Sequence, residues 1–594
     1  MRVRNPSGEL AGQSVPAAVR RALQGSISVT LGTCLLAASA HAAQPASAGS
    51  STGPGPGNTE LEEVIVTGIR QSLESAQAIK QEAEQIVDSV TAQDIGALPD
   101  RSVSEALQRI PGITLQRTND NRDPARLASE GGGVFIRGLS WVRSETNGRD
   151  VFSANNGRGL SFEDVSADLL SGINVYKNPS AEMIEGGIGG IVDLRTRVPF
   201  DSTERLLAFS ADYNYADLKD DGFVSGNGLF SDSWDSGIGR LGVLASYSVG
   251  NIGNRTDSIQ TGRYEAFSVG NQVVYIPNSL GWRRIDWEQK RTAANLALQW
   301  APNEALVMTL QGLQAHATPR DIEYAVGDYT PLYDPATAVL DGRGVLVAGT
   351  DINTTIDTDT RFTEQDKKTS DYSFNIKYTP NENWVVSGDL QYVKSEASIL
   401  SMTAYTEQKN QTGTINFDLR GDTPQMRWNE AAQANQADYW WAAAMDHIED
   451  NDAREYAARA DAEYAFDDNP WLKSFRFGVR GTDKEATTRQ TGYNWSLLSQ
   501  QFWGPNDPNT PAGNDNIVYI TEPGFGSNTN SALLSSTQLI RFNDFFRGHV
   551  QVPGVAWMPS AALVSNGTQN AFNLLRNTQS SFWGWTPLTA ASYD

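Results

Sequence analysis

From residue 205 onward the chain alternates apolar and polar side chains in short, repeated segments. RLLAFSADYNYADL puts Leu207, Phe209, Ala211, Tyr213 and Tyr215 on one face and Ser210, Asp212 and Asn214 on the other. RLGVLASYSVG groups Leu241, Val243, Ala245, Tyr247 and Val249 against Gly242, Ser246 and Ser248, with Leu244 the exception. DYSFNIKYT sets Tyr372, Phe374, Ile376 and Tyr378 against Ser373, Asn375 and Lys377. WVVSGDLQYVKS and EYAARADAEYAF repeat the pattern, ending on Tyr392 and on Tyr464 and Phe466. A period of two sends successive side chains to opposite faces of a strand. One such segment describes any half-buried sheet. The repetition, with segments of about ten residues and aromatic ends, predicts a transmembrane antiparallel β-barrel with a wet lumen. A soluble sandwich with a charged outer face is the alternative.

Connector length supports the barrel. APNEA, PNEN and DDNP are tight turns, whereas about 251–289, 317–370, 396–453 and 483–594 read as long connections. Short turns on one side and long loops on the other are the asymmetry of outer-membrane barrels. The pattern predicts nine strands, at 205–215, 222–234, 240–250, 290–300, 305–316, 371–379, 384–395, 454–466 and 471–482. The first and ninth then run in the same direction. An odd count leaves open edges, which lipid does not tolerate. The final SYD also lacks a closing amphipathic strand. The expectation is a chain that is incomplete at its C-terminus.

Residues 61 to about 200 read differently, as a small mixed α/β domain. In LPDRSVSEALQRIPGI, Ser102 and Glu105 fit a capping box, Val103, Ala106, Leu107 and Ile110 share one helix face, and Pro111-Gly112 stops the helix. GITLQR, VFIRGL, INVYKN and IVDLRTR read as strands. The glycine runs at Gly131–Gly133 and Glu185–Gly190 lack the Lys-Ser/Thr ending of a phosphate loop, so they read as turns.

The chain has 594 residues and a formal net charge of −23, which argues against a nucleic-acid partner. Residues 1–42 have the form of a secretory signal: Arg20 and Arg21, the run SISVTLGTCLLAASA, then small residues around Ala40-His41-Ala42. Cys34, the single cysteine, leaves with it, so no disulfide framework is expected. Residues 43–60 are a Gly/Pro/Ser linker. Directly after it stands LEEVIVTG, a β-branched patch suited to extended backbone.

Enzyme chemistry finds no support. His41, His316, His447 and His549 have no metal-ligand spacing. Asp351, Asp357 and Asp359 in DINTTIDTDT lack the EF-hand pattern and read as a solvated loop in preference to a calcium site. Trp428, Trp440, Trp441, Trp495, Trp503, Trp583 and Trp585 fall in the long connections. Such rings stack on sugar faces or anchor membrane interfaces.

The stretches VTGIRQSLESAQAIKQEAEQIVDSVTAQDIGALPD, VSEALQRIPGI, VFIRGL and INVYKNPSAEMIEGGIGGIVDLRTRVPF resemble the TonB-dependent outer-membrane receptors, in particular their oligosaccharide-associated branch. That resemblance implies a TonB box within 61–68, carried by Glu63, Val64, Ile65, Val66 and Thr67. It implies a plug domain at 69–200, and at 201–594 the first part of a barrel that has about 22 strands when complete. It also implies the outer membrane of a Gram-negative bacterium, periplasmic TonB as partner, and no cofactor. The function implied is active import of an oligosaccharide, with a ferric siderophore as the alternative ligand and a non-functional truncated product as the other. A signal-transducing receptor would need a further periplasmic domain before the box, for which 43–60 are too few. Within the plug the resemblance points to Arg137, Trp141, Asn147 and Arg149 for ligand contact, although the approach WVRSET to Asn147-Gly148-Arg149 departs from the family. Arg137 also reads as a plug–barrel contact, and Trp141 as a packing residue.

Overall fold

The computed structural model describes residues 76–91, 102–116, 132–154, 159–328, 332–352, 356–408, 414–428, 430–467, 471–492, 494–497, 519–521, 536–550 and 554–565. The signal, the linker and Glu63–Thr67 lie outside these, as do Trp503, Trp583 and Trp585.

The N-terminal domain opens with a helical stretch at 76–82. It continues through β1 (Val87–Thr91), α1 (Val103–Leu107), β2 (Ile113–Gln116), β3 (Gly132–Ile136), β4 (Val142–Thr146), β5 (Arg149–Asp150), β6 (Leu170–Tyr176) and β7 (Gly190–Thr196). Five strands form one sheet in the order β1-β6-β7-β4-β5, with β4 and β7 parallel and the other neighbours antiparallel. β2 and β3 form a separate hairpin pair. The Ser102 hydroxyl accepts the Glu105 N–H at 3.3 Å, which is the N-cap half of the capping box its sequence predicts. Val103, Ala106, Leu107 and Ile110 are buried and pack with Ile136, Ile173, Val175, Val192 and Leu194 in one core. Gly190 needs its missing Cβ: φ is +144°, and a methyl there would stand 2.7 Å from the Tyr176 carbonyl oxygen.

The remainder is one large antiparallel sheet with elaborated outer connections. In chain order the strands are β8 (Leu206–Ala216), β9 (Asp221–Ser236), β10 (Gly239–Thr261), β11 (Tyr264–Val269), β12 (Gln272–Pro277), β13 (Leu280–Asn303), β14 (Leu306–Asp328), β15 (Leu332–Tyr333), β16 (Val339–Leu340), β17 (Leu346–Ile352), β18 (Ile356–Asn381), β19 (Trp384–Gln408), β20 (Thr414–Asp418), β21 (Gln425–Trp428), β22 (Tyr439–Ala465), β23 (Ser474–Thr487), β24 (Asn494–Leu497), β25 (Thr537–Arg541) and β26 (Val555–Pro559). Two short helices, α2 (Glu430–Gln433) and α3 (Ala561–Ser565), lie among them. The main path runs β8-β9-β10-β13-β14-β18-β19-β22-β23, and β24 adds to β22. All nine predicted strands are present. All but β8 are longer than the sequence pattern indicated, reaching 27 residues in β22, so much of what reads as long connection is strand. Trp440 and Trp441 are accordingly in β22 and buried, not in a loop. Asp351 and Asp359 are likewise buried strand residues and not part of a solvated loop. Among the described residues no group of three or more His, Cys, Asp or Glu could hold a metal, and no helix is long and apolar enough to cross a membrane.

The two faces of the sheet differ in chemistry. Leu296 and Leu298 of β13, Leu310 of β14, Tyr372 and Ile376 of β18, Leu390 of β19, Tyr456 of β22 and Phe477 and Val479 of β23 point away from the N-terminal domain and are exposed. The opposite positions, such as Asn295, Gln311, Ser373 and Gln391, are polar and buried. Register explains the sorting: in β18 and β19 the pairing holds without a slip from Ile356↔Gln408 to Tyr378↔Val386, so each face keeps one parity throughout.

Unbroken register also fixes where the outer elements pack. Ile356, Thr358, Thr360 and Phe362 share parity with the exposed Tyr372 and Ile376, and they are buried. β17, β20, β21 and residues 536–550 and 554–565 cover that part of the outward face, around Leu280, Trp282, Val326, Ile356, Phe417, Phe542 and Met558. Thr358 and Thr360 donate their hydroxyls to the carbonyls of Trp557 and Pro559, at 3.0 and 2.6 Å. The strand extensions thus carry a second layer, a cap, on the side away from the N-terminal domain.

Candidate functional site

The site is the seam between the N-terminal domain and the polar face of the sheet. Asn147-Gly148 is the two-residue turn joining β4 to β5, with φ of +52° and +75°, the positive values that hairpin turns of this kind require. The turn is clamped from both sides. Asn147 Nδ2 donates to Thr196 Oγ1 at 2.8 Å and to Gln311 Oε1 of β14 at 3.1 Å. The Gly148 N–H donates to Asp193 Oδ1 at 2.9 Å. Arg149 pairs with Asp389 of β19 at 3.1 Å, and Gln391 donates to the Asp150 carbonyl at 2.9 Å.

Further contacts run along the seam. Asp164 accepts from Gln289 at 3.2 Å and faces Lys367 at 3.5 Å. Lys484 of β23 sits 3.7 Å over the Phe152 ring and 3.4 Å from Asp150. Arg476 of β23 reaches Glu84 at 3.0 Å. Beside these contacts lies a cavity of about 1470 Å³ between the domain and β22–β23, lined among others by Trp141, Arg143, Glu182, Arg459, Arg476 and Lys484.

The four residues singled out in the sequence occupy different environments. Asn147 and Arg149 are engaged with the wall. Arg137, also at positive φ, reaches the Lys177 carbonyl at 3.5 Å, within its own domain. Trp141 is 65% exposed and borders the cavity. The seam residues that sequence reading missed are Asp150, Phe152 and Asp164 on one side and Asp389, Arg476 and Lys484 on the other.

Carboxylates crowd the domain side. Glu145 is buried beside Asp193 and Asp150, with Arg143 at 3.4 Å. Burial first, then the neighbouring Asp193 charge, pushes Glu145 up to about 7, more than Arg143 pulls it down. A carboxyl whose folded pKa lies above its unfolded one binds its proton more tightly when folded. Its stabilising contribution is therefore complete below the ordinary value of 4.5 and is lost as pH rises toward 7. The expected result is a seam destabilised by on the order of 2–3 kcal/mol between pH 4.5 and pH 8. Glu145→Gln should flatten that dependence, read as the urea midpoint of the detergent-solubilised chain at both pH values. An equal pH slope in the variant would refute the assignment.

Residues 79–191 match the sequence model of the TonB-dependent Receptor Plug Domain. The N-terminal domain is a TonB-dependent receptor plug. No curated protein matches the chain. Among solved structures the chain is similar to the unliganded ferric citrate transporter FecA, with 10% identity and a TM-score of 0.26 over 72% of this chain and 80% of that one. It is similar to the hemophore receptor HasR of Serratia marcescens, solved with its hemophore HasA and heme, with 13% identity and a TM-score of 0.26 over 69% of this chain. It is also similar to the alcaligin receptor FauA of Bordetella pertussis, with 13% identity and a TM-score of 0.24 over 70% of this chain. The match spans 60% of the HasR chain and 81% of the FauA chain.

Proposed function

We propose that this chain forms the plug and part of the barrel wall of an outer-membrane importer, energised through TonB, whose ligand is an oligosaccharide. The observation that carries the proposal is a plug domain seated on the polar face of an amphipathic antiparallel sheet whose other face is apolar. That arrangement suits a lumen closed by a removable body: many polar contacts, each modest in strength. Glu63–Thr67 would add as a strand to TonB, with backbone hydrogen bonds supplying the affinity. In the resting state Asn147 and Arg149 hold the plug to the wall, Arg137 braces the plug internally, and Trp141 presents an open ring for stacking on a sugar face.

A ferric siderophore is the second reading, because a chelate brings its own iron ligands and asks for no histidine or cysteine from the protein. Uptake by cells expressing the chain separates the two. Labelled maltodextrins and ferric chelates are supplied in parallel, with and without a protonophore. Accumulation of sugar alone, abolished by the protonophore, is the expected result. Accumulation of the chelate alone would replace the ligand, and accumulation of neither would overturn the transport reading.

A further inference from the structure

Beyond the plug, the polar face of the sheet is unevenly charged. The plug meets this face at Gln289 of β13, Ala315 of β14 and Lys367 of β18. Six residues farther along each strand, about 20 Å toward the long connections, the same face presents Arg283, Asp321 and Arg361. Parity adds Glu323, Asp357 and Asp359, then Glu407 of β19 and Glu449 of β22. Six carboxylates therefore stand there against two guanidiniums.

Both guanidiniums go to one partner: Arg283 and Arg361 donate to Glu323 at 3.1 and 2.8 Å. Asp321, 2% exposed, is left 3.9 Å from Arg361, and its Oδ1 accepts no hydrogen bond from the described residues. Asp357 and Glu407 stand directly opposite each other on β18 and β19, and Glu407 Oε2 is buried without a donor. The Thr403 hydroxyl, on the residue opposite Arg361, is also buried and makes no hydrogen bond to the described residues. A buried acceptor without a donor is costly, and like charges across a strand pair repel. An ammonium relieves both, since it brings three donors and an opposite charge. Burial, offset only in part by Arg361, pushes Asp321 up to about 7, and a cation at its free oxygen would draw it back down. Thr363, Ser401, Thr403 and Asn451 lie among the carboxylates on the same face, and such groups exchange hydrogen bonds with sugar hydroxyls.

We propose that this stretch of the inner wall binds an oligosaccharide carrying free amino groups, with Asp321, Asp359 and Glu407 receiving the ammonium and Thr403 a neighbouring hydroxyl. The site rests on the importer reading given above and adds a positive charge to the sugar. A wall with this excess of carboxylates repels an anionic chelate.

The test uses the full chain in detergent at pH 7 and low salt. It is titrated calorimetrically with a β-linked glucosamine tetramer, its N-acetylated form, a glucose tetramer of the same linkage, and tetralysine. The glucosamine tetramer should bind about tenfold or more tightly than the other two sugars, as expected for a charge-assisted contact. Asp321→Asn with Asp359→Asn should remove that advantage and leave the affinity for the other two sugars unchanged. Glu407→Gln, on a separate strand, should cost a few-fold, so the site stays testable if the double variant folds poorly. Equal affinity for the three sugars, or an amine preference that survives both variants, would overturn the proposal and leave sugar import standing. Tetralysine binding more tightly than the glucosamine tetramer would overturn the saccharide assignment in favour of a cationic peptide. Binding of no sugar at all would overturn this site and the sugar reading together.

Discussion

Cells carrying the chain without Glu63–Thr67 are expected to bind ligand at the surface as the parent does and to accumulate none of it. The segment follows a Gly/Pro/Ser leash and is made of residues that favour extended backbone. A strand that pairs with a partner's sheet contributes mainly through backbone hydrogen bonds, so single side-chain changes should be milder than deletion. Substituting Ile65 by proline removes one backbone donor and fixes φ, and is expected to reproduce most of the deletion phenotype. Binding of labelled ligand at low temperature, compared with accumulation in energised cells, separates the two steps. Accumulation by the deletion variant at the parental rate would remove the box assignment while leaving the plug intact.

Trp282→Ala should release the cap. Trp282 is 1% exposed on the outward face of β13, where its ring meets Phe542 edge-on with centroids 6.4 Å apart. Leu280, Val326, Ile356 and Phe417 complete its surroundings. Removing a buried indole costs about 3–5 kcal/mol, because lost transfer energy and the cavity left behind add together. The loss should fall locally. The nine-strand sheet keeps its own ladder, whereas residues 536–550 and 554–558 are held to it by this cluster and by contacts such as Arg255 with the Asn543 carbonyl at 3.0 Å and Arg547 with Asp217. Hydrogen exchange should show amides of β25 and β26 opening at least about a hundredfold more often, with those of β13 and β14 little changed. Uniform loosening of β13 and β14 would mean that the cap and the wall are one cooperative unit.

How legible these features are in sequence depends on the distance between partners. Period-two alternation is local, so all nine wall strands could be read from segments such as DYSFNIKYT. Their lengths could not. Beyond the apolar band both faces of the strands are polar or cap-covered, and the alternation that marks a strand disappears even though its hydrogen bonds continue. Trp440 and Trp441 read as part of a connection for that reason. In the plug, Ser102 and Glu105 lie three residues apart and their cap was plain, whereas VDSVT at β1 is too short and polar to stand out. The seam was hidden altogether: Arg149 finds Asp389 across 240 positions and Arg476 finds Glu84 across 392. Asn147-Gly148 could have been read as a hairpin turn by its dipeptide, although nothing local indicates that its side chain would reach Gln311.

β1 lies at the margin of the plug sheet and has β6 as its single neighbour, through five residue pairs. It is also the first strand of the described plug residues reached from the N-terminal side, preceded among them by the helical stretch at 76–82, the ion pair between Glu84 and Arg476 and nearby polar contacts. Under the proposed pull through TonB, tension from the N-terminal side would first meet an edge strand held by a single neighbour. β6 and β7 each have neighbours on both sides, so the sheet can surrender its outermost strand and keep the other four. On the importer reading proposed above, the plug would not need to unfold to open a passage: its peripheral ladder would peel away and re-form once the load is gone.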